Sequence, residues 1–302
     1  MGKAATCLRT VMQLNVVANN RRGLHALLNL NRLTEVVDVG ANPIDGDPPY
    51  KTMLQEGMCR LTGFEPQMSA LELLEARKGG NEIYLPYAVG DGEEHTLRIC
   101  NWSGLTSLFE LDVASLEIFP QYLRGGELRG QEQIQTRRLD DIEEIGRMDF
   151  LKIDIQGGEL SVFRNGRRTL ANAVAIQTEV SFVPLYKEQP CIGDIDLELR
   201  SQGFIPHCLA TPAKTAPIAP VKFGDSQWTG LNQLLEADLV YVRDFRKPHD
   251  LSSDMLKHLA LIATCCYRSI DLTRRCLKVL ADRGDVDRDA GERFMRAEPA
   301  SV

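Results

Sequence analysis

The chain has 302 residues, 35 basic and 42 acidic, for a net charge of −7, and 43% of it is hydrophobic. That suits one large α/β domain with an appendage, while the absence of any basic run longer than a pair excludes a dedicated phosphate-backbone binder, so no nucleic-acid partner is expected. The cysteines at 7, 59, 100, 191, 208, 265, 266 and 276 form no C-x-x-C pair and have no His at zinc spacing, so they read as reduced thiols and no metal site is assigned. With no secretory apolar region and no apolar run near the ~20 residues of a membrane span, the expected location is cytoplasmic.

Residues 6–33 carry helical spacing (Leu8, Val11, Met12, then Leu24, Leu27, Leu28) with a break at Asn19-Asn20. The pattern then predicts a strand at 36–39, a helix at about 48–57, a strand at 59–64, a helix at 67–78 and a strand at 83–88. Alternation of this kind implies a mostly parallel sheet with helices on both faces. Thr96–Cys100 reads as a strand, 103–107 as a polar turn, 109–130 as a weakly patterned insertion, and Ile134–Leu139 as a further strand. Next come a buried strand, Phe150–Ile155, a helix at 159–169, a strand at Val174–Val180 and a helix at 193–202 closed by Gly203. Phe204–Leu209 returns to the sheet, residues 210–224 form a proline-containing loop that can cover a pocket, and Leu239–Val242 is the last strand.

Beyond Pro248, Leu256, Leu259, Ala263, Cys266, Ile270, Leu277 and Leu280 follow a 3-4 seam that Gly284 stops, and Ser269 and Asp271 suggest two helices or one kinked helix. Residues 285–302 read as a charged, frayed tail. The expected organisation is therefore an N-terminal helical segment at 1–34, a catalytic domain at 35–248 and a C-terminal helical extension at 249–302. The seam must pack on this chain or on the same seam of a second copy, as a homodimer.

Two tracts carry chemistry. Val36-Val37-Asp38-Val39-Gly40-Ala41-Asn42 is a β-branched strand closing on Asp-x-Gly, and Glu65 ends the next strand about twenty-five residues on. In an open α/β sheet this is the ligand edge, where Gly40 would lie beneath a nucleoside and the Glu65 carboxylate would accept ribose hydroxyls. The following turn, Asn42-Pro43-Ile44-Asp45-Gly46-Asp47-Pro48-Pro49, lacks the glycines of a dinucleotide loop, loses N–H donors to proline and carries two acids. It repels pyrophosphate and tolerates a sulfonium, which favours S-adenosylmethionine over NAD or FAD. The second tract, Lys152-Ile153-Asp154-Ile155-Gln156-Gly157-Gly158-Glu159, ends another buried strand, and Glu179 ends the next. Asp154, Glu159 and Glu179 can converge as a general base, as acceptors for substrate hydroxyls or as a hard-metal cage.

With these tracts come Gly63-Phe64-Glu65-Pro66, Ala88-Val89-Gly90-Asp91, Gly104-Leu105-Thr106-Ser107-Leu108, Arg138-Leu139-Asp140-Asp141 and Thr178-Glu179-Val180. In this order over about 35–205 they resemble the FkbM family of S-adenosylmethionine-dependent methyltransferases. The resemblance implies a Rossmann-like class I methyltransferase sheet with helical additions at both ends, and methyl transfer to a hydroxyl of a sugar or a secondary-metabolite-like acceptor. By similarity Asp38, Gly40 and Asn42 hold the methionine end of the cofactor, Glu65 the ribose, and Ala88 lies in the same cofactor site. Asp154, Glu159 and Glu179 face a small-molecule or glycan acceptor. Gln156 departs from the pattern, standing where many members have Glu, which removes a possible base. The rival readings are a catalytically inactive cofactor-binding module acting as an interaction protein, and a nicotinamide dehydrogenase, which Pro48-Pro49 and the missing glycines oppose.

Overall fold

The computed structural model describes residues 20–42, 46–221 and 230–296. The helix expected over 6–19, the turn residues 43–45 and Trp228 lie outside the described residues. The main sheet has the strands β1 (Thr34–Val39), β2 (Cys59–Phe64), β3 (Glu82–Leu85), β7 (Phe150–Ile153), β8 (Ala175–Ser181), β9 (Phe204–Leu209), β10 (Lys214–Ala216) and β11 (Gln233–Arg243). Their order is β10-β11-β8-β7-β1-β2-β3, with β9 also paired to β11. The five strands from β8 to β3 run parallel, and β11 is antiparallel to β8, β9 and β10. This is the mostly parallel Rossmann-like sheet expected of the sequence.

A smaller sheet, ordered β4-β6-β5, lies beside the C-terminal edge of the first. It contains β4 (Ala88–Gly90), β5 (Glu94–Cys100) and β6 (Leu128–Arg138). The single strand expected at 83–88 is therefore two, because Pro86 has no N–H to extend the ladder and the chain changes sheets there. The weakly patterned insertion holds a helix, Val113–Ile118, and the first residues of β6, whose polar exposed face concealed its length. The helix expected at about 48–57 is confined to a short helix at Lys51–Gln55. That at 159–169 is two pieces, Glu159–Arg164 and Arg167–Leu170, interrupted at Asn165-Gly166.

Strand alternation sorts the core into two faces. Val37 and Val39 pack with Leu151, Ile153, Ile176 and the helices at 159–164 and 192–201, through Phe163, Ile195 and Leu199. Val36 and Phe150 point the other way, to a helix at Arg21–Leu28 and to two C-terminal helices, Ser253–Tyr267 and Ile270–Arg283. Between the last two the chain turns through Arg268 in the left-handed region (φ +53°), and Gly284 caps the second at φ +78°. The seam residues Leu256, Leu259, Ala263, Leu277 and Leu280 are buried in the same cluster as Leu24, Met53 and Val240, so this chain covers its own seam. An ion-paired cluster fastens the first of these helices to the sheet: Arg32 donates to Asp149 at 2.6 and 2.8 Å and to Asp254 at 2.7 Å. The tail expected to be frayed contains a helix over Ala290–Arg296, with Ala290 and Phe294 fully buried. Its apolar residues are too few to announce themselves among so many charges. No described helix is long and apolar enough to cross a membrane.

Candidate active site

Strand β1 ends on Gly40 at φ +79°, and both Gly40 and Ala41 donate their N–H groups to the Phe64 carbonyl at 3.0 Å. A Cβ at Gly40 would stand 2.1 Å from the Asp154 carbonyl oxygen. The glycine is thus required by the neighbouring strand end as well as by its left-handed backbone. These crossings bring the ends of β1, β2 and β7 to one cleft, lined by Gly40, Asn42, Phe64, Glu65, Ala88, Val89, Asp154 and Gln156. The small sheet and its loops supply the opposite wall, with Tyr87, Leu97, Ile134, Thr106 and Ser107.

Glu65 is 2% exposed yet lines the cleft, and the Gln67 N–H bonds its Oε1 at 2.8 Å. Burial raises its pKa, opposed by hydrogen bonds from the backbone of Gln67 and Asn42. Ser107 joins the two walls: its Oγ donates to the Gln156 carbonyl at 2.6 Å and accepts from the Phe109 N–H at 3.0 Å. Gln156 is itself in the left-handed region (φ +58°). Its amide nitrogen bonds Asp154 Oδ1 at 2.9 Å and Glu179 Oε2 at 3.2 Å, and its Oε1 accepts from the Tyr186 hydroxyl at 3.2 Å.

Asp154, Glu159 and Glu179 do converge, with carboxylate oxygens within 4.8 Å of one another. They are not equivalent. Asp154 lines the cleft, whereas neither buried glutamate is among its lining residues. Glu159 Oε1 accepts the N–H groups of Ile155 at 2.9 Å and Gly157 at 3.3 Å, and so ties down the turn that follows β7. Burial pushes its carboxyl up to about 7. Burial raises Glu179 well above the usual carboxylate range, with Glu236 and Asp154 adding to the effect. The Gln156 amide satisfies part of the space between Asp154 and Glu179 that a cation would otherwise fill.

Asp38 is not among the residues lining this cleft. Strand parity turns its carboxylate away from the cleft, toward the face that carries Val36 and the C-terminal helices. There Tyr50 donates its hydroxyl to Asp38 Oδ2, and Lys152 Nζ lies 3.3 Å from Oδ1 and 3.4 Å from the Gly40 carbonyl. Burial raises the Asp38 pKa, and Lys152 opposes it. The pKa of Lys152 is raised, since the Asp38 and Asp154 carboxylates outweigh the effect of burial. This buried pair went unrecognised in the sequence, although a lysine between Leu151 and Ile153 in an apolar strand demands a counter-ion. Asp38 and Lys152 line a second cavity together with Gln177, Asp238 and Tyr267, and this cavity shares Asn42 and Asp154 with the first.

A family model, the methyltransferase FkbM domain, matches residues 38–206, more than half of the chain. The chain belongs to this FkbM methyltransferase family. No curated protein matches the sequence. Among solved structures, precorrin-6y C5,15-methyltransferase from Geobacter metallireducens is similar at 13% identity and a TM-score of 0.35, over 74% of this chain and 86% of that one. Magnesium protoporphyrin IX methyltransferase from Synechocystis, solved with bound S-adenosylmethionine, is similar at 12% identity and a TM-score of 0.33, over 81% and 85%. FkbM methyltransferases use S-adenosylmethionine, and the cleft suits it. It offers a buried carboxylate for a diol, a floor without side chain at Gly40, and an apolar wall of Phe64, Val89, Leu97 and Ile134 for a purine.

Proposed function

We propose that this FkbM methyltransferase methylates a hydroxyl oxygen, on a sugar or a secondary-metabolite-like acceptor. Glu65 accepts the ribose hydroxyls, Gly40 and Asn42 border the methionine end, and Ala88 lies against the base. Bound there, the cofactor would supply an electrophilic methyl group to the acceptor oxygen, the C–S electron pair staying on sulfur, and the hydroxyl proton would have to leave. Asp154 takes that proton. The observation that carries this reading is the position of Asp154, which lines both cavities and receives a hydrogen bond from Gln156 at 2.9 Å. A positioned base is worth roughly 10²–10⁴-fold. Glu159 holds the turn, and Glu179 accepts from the Gln156 amide and so buttresses it.

The test is a panel of hydroxyl, amine and carbon acceptors with S-adenosylmethionine, read by mass spectrometry of the product. O-methylation that falls at least a hundredfold in Asp154→Asn, with S-adenosylhomocysteine binding retained, is the expected result. Methyl transfer to nitrogen or carbon, or full activity in Asp154→Asn, overturns it.

A further inference from the structure

Three carboxyl groups, those of Asp154, Glu159 and Glu179, meet with oxygens within 4.8 Å of one another. Acids this close do not all stay ionised unless protons, donors or a cation intervene. Glu159 takes two backbone N–H groups. Lys152 and Lys214 act on this cluster, but each is paired with a different acid, Asp38 at 3.3 Å and Glu236 at 2.6 Å. What stands between Asp154 and Glu179 is the Gln156 side chain, whose amide nitrogen donates to Asp154 Oδ1 at 2.9 Å and to Glu179 Oε2 at 3.2 Å. An amide nitrogen carries two hydrogens, and both are taken up by these acids. The buried Tyr186 hydroxyl donates to Gln156 Oε1 at 3.2 Å and fixes the amide in this orientation, since the reverse one would set Oε1 against two carboxyl groups. The backbone is strained to aim the side chain here: Gln156 has φ +58°, and Ser107 Oγ pins its carbonyl at 2.6 Å. Glycine would meet that φ without strain, as Gly157 does at +106°.

We infer that Gln156 is a positioning residue whose amide takes the place of a divalent cation, drawing Asp154 and Glu179 together and holding Asp154 at the cleft, so that methyl transfer at this site runs without a metal. The inference rests on the reading of Asp154 as base and adds to it how that base is held. A hard cation shared by Asp154 and Glu179 would need their oxygens about 2.0–2.6 Å away, and the amide nitrogen occupies that space at hydrogen-bonding distance from both. The chemistry makes no demand for the ion either. Methyl transfer from a sulfonium leaves a neutral thioether, so there is no charge on the leaving group to neutralise, and the remaining hydroxyl proton is one that a carboxylate accepts. Glutamate at 156 would keep the shape of the side chain but exchange its N–H donors for a fourth carboxyl group. The cluster would then be satisfied only by further protons or by a cation.

The experiment uses the full chain with S-adenosylhomocysteine bound and Mn²⁺ as the probe, followed by paramagnetic resonance of the free ion and by calorimetry. Gln156→Glu should bind Mn²⁺ roughly tenfold or more tightly than the wild type, and adding Glu179→Gln should abolish the gain; retained S-adenosylhomocysteine binding reports that the variants fold. Gln156→Met, which removes the amide and supplies no charge, should lower kcat roughly tenfold or more on the hydroxyl acceptor found with the panel above while KM holds, and wild-type turnover should be indifferent to EDTA. Mn²⁺ binding by the wild type that Glu179→Gln removes, turnover that EDTA stops, or no gain of Mn²⁺ in a Gln156→Glu chain that binds S-adenosylhomocysteine overturns the proposal. If Gln156→Glu does not fold, Gln156→Met decides: a selective loss of kcat supports the proposal and an unchanged kcat overturns it. Failure of the wild-type chain to bind S-adenosylhomocysteine overturns the methyltransferase reading instead, and the Mn²⁺ comparison still decides what the amide replaces.

Discussion

Replacing Glu159 by Gln separates an anchoring role from a chemical one. The carboxyl moves from an ordinary 4.5 to about 7 on folding, driven by complete burial and opposed by the N–H groups of Ile155 and Gly157. Below about pH 4.5 both folded and unfolded chains hold this proton, and the group favours the fold in full. Between 4.5 and 7 the folded chain keeps a proton that the unfolded chain has lost, so stability falls as pH rises. Each tenfold difference in proton affinity is worth ~1.4 kcal/mol, and the interval amounts to roughly 3 kcal/mol. Glutamine is neutral throughout and retains an Oε1 for the same two N–H groups. Its variant should match the wild type near pH 4.5 and exceed it by up to ~3 kcal/mol at pH 8. For a protein of this size that is on the order of 5–10 °C in melting temperature. Calorimetric melts of both proteins from pH 5 to 8 give the difference directly. A difference that does not change with pH would show that Glu159 does not titrate in this range, and the argument from burial would fail.

Glu65→Ala should weaken S-adenosylhomocysteine binding by ~1.5–3 kcal/mol, the range for hydrogen bonds to a charged group, and calorimetry with NAD as the comparison should show no tighter binding of the dinucleotide. Gly40→Ala and Gly57→Ala form a matched pair, since both glycines have positive φ, but a Cβ at Gly57 meets open space and one at Gly40 meets the Asp154 carbonyl. Denaturant titration should show Gly57→Ala losing about 1 kcal/mol and Gly40→Ala losing a further 1–3 kcal/mol; equal losses would remove the clash from the argument. Phe294→Ala should cost ~3–5 kcal/mol, whereas a frayed tail would lose nothing measurable in the same titration.

The parallel sheet was legible because its central strands are short β-branched runs bounded by glycine and acids, and because buried strands leave few other readings for such runs. Gly40, Glu65 and Asp154 were legible for the same reason: a carboxylate or glycine at the end of an apolar strand has few places to be except the ligand edge. What the pattern did not carry was side. Asp38 differs from Val39 by one residue, and that single step moves its carboxylate from the cofactor cleft to the opposite face. Deciding the face requires knowing which helices cover which side, and that depends on Ser253–Tyr267, far along the chain. The small sheet was hidden for another reason. Most of β6 is exposed and polar, so hydrogen bonding to β5 and β4 holds it in place without an apolar signature. Phe294 belongs to a helix whose other side chains are mostly charged, and only its contacts reveal it as core.

Strand parity also bears on how the two cavities are kept apart. Odd positions of β1 and β7, Val39 and Ile153, face the side of Phe163 and Leu199, while Asp38 and Lys152 at even positions face the C-terminal helices. The two cavities therefore draw on opposite faces of the same strands and meet only where those strands end, at Asn42 and Asp154. A buried ion pair is a costly way to fill that second face, because desolvation of both charges offsets much of their attraction. Apolar residues at 38 and 152 would pack the same space more cheaply. The pair makes sense as a brace: Lys152 holds the Gly40 carbonyl at the turn, and Asp38 supplies its counter-ion. On this argument Asp38→Asn together with Lys152→Met should leave a folded chain whose S-adenosylhomocysteine binding, measured by calorimetry, is weakened because the turn at Gly40 has lost its brace. Undiminished S-adenosylhomocysteine binding by that double variant would mean that the pair serves the fold alone.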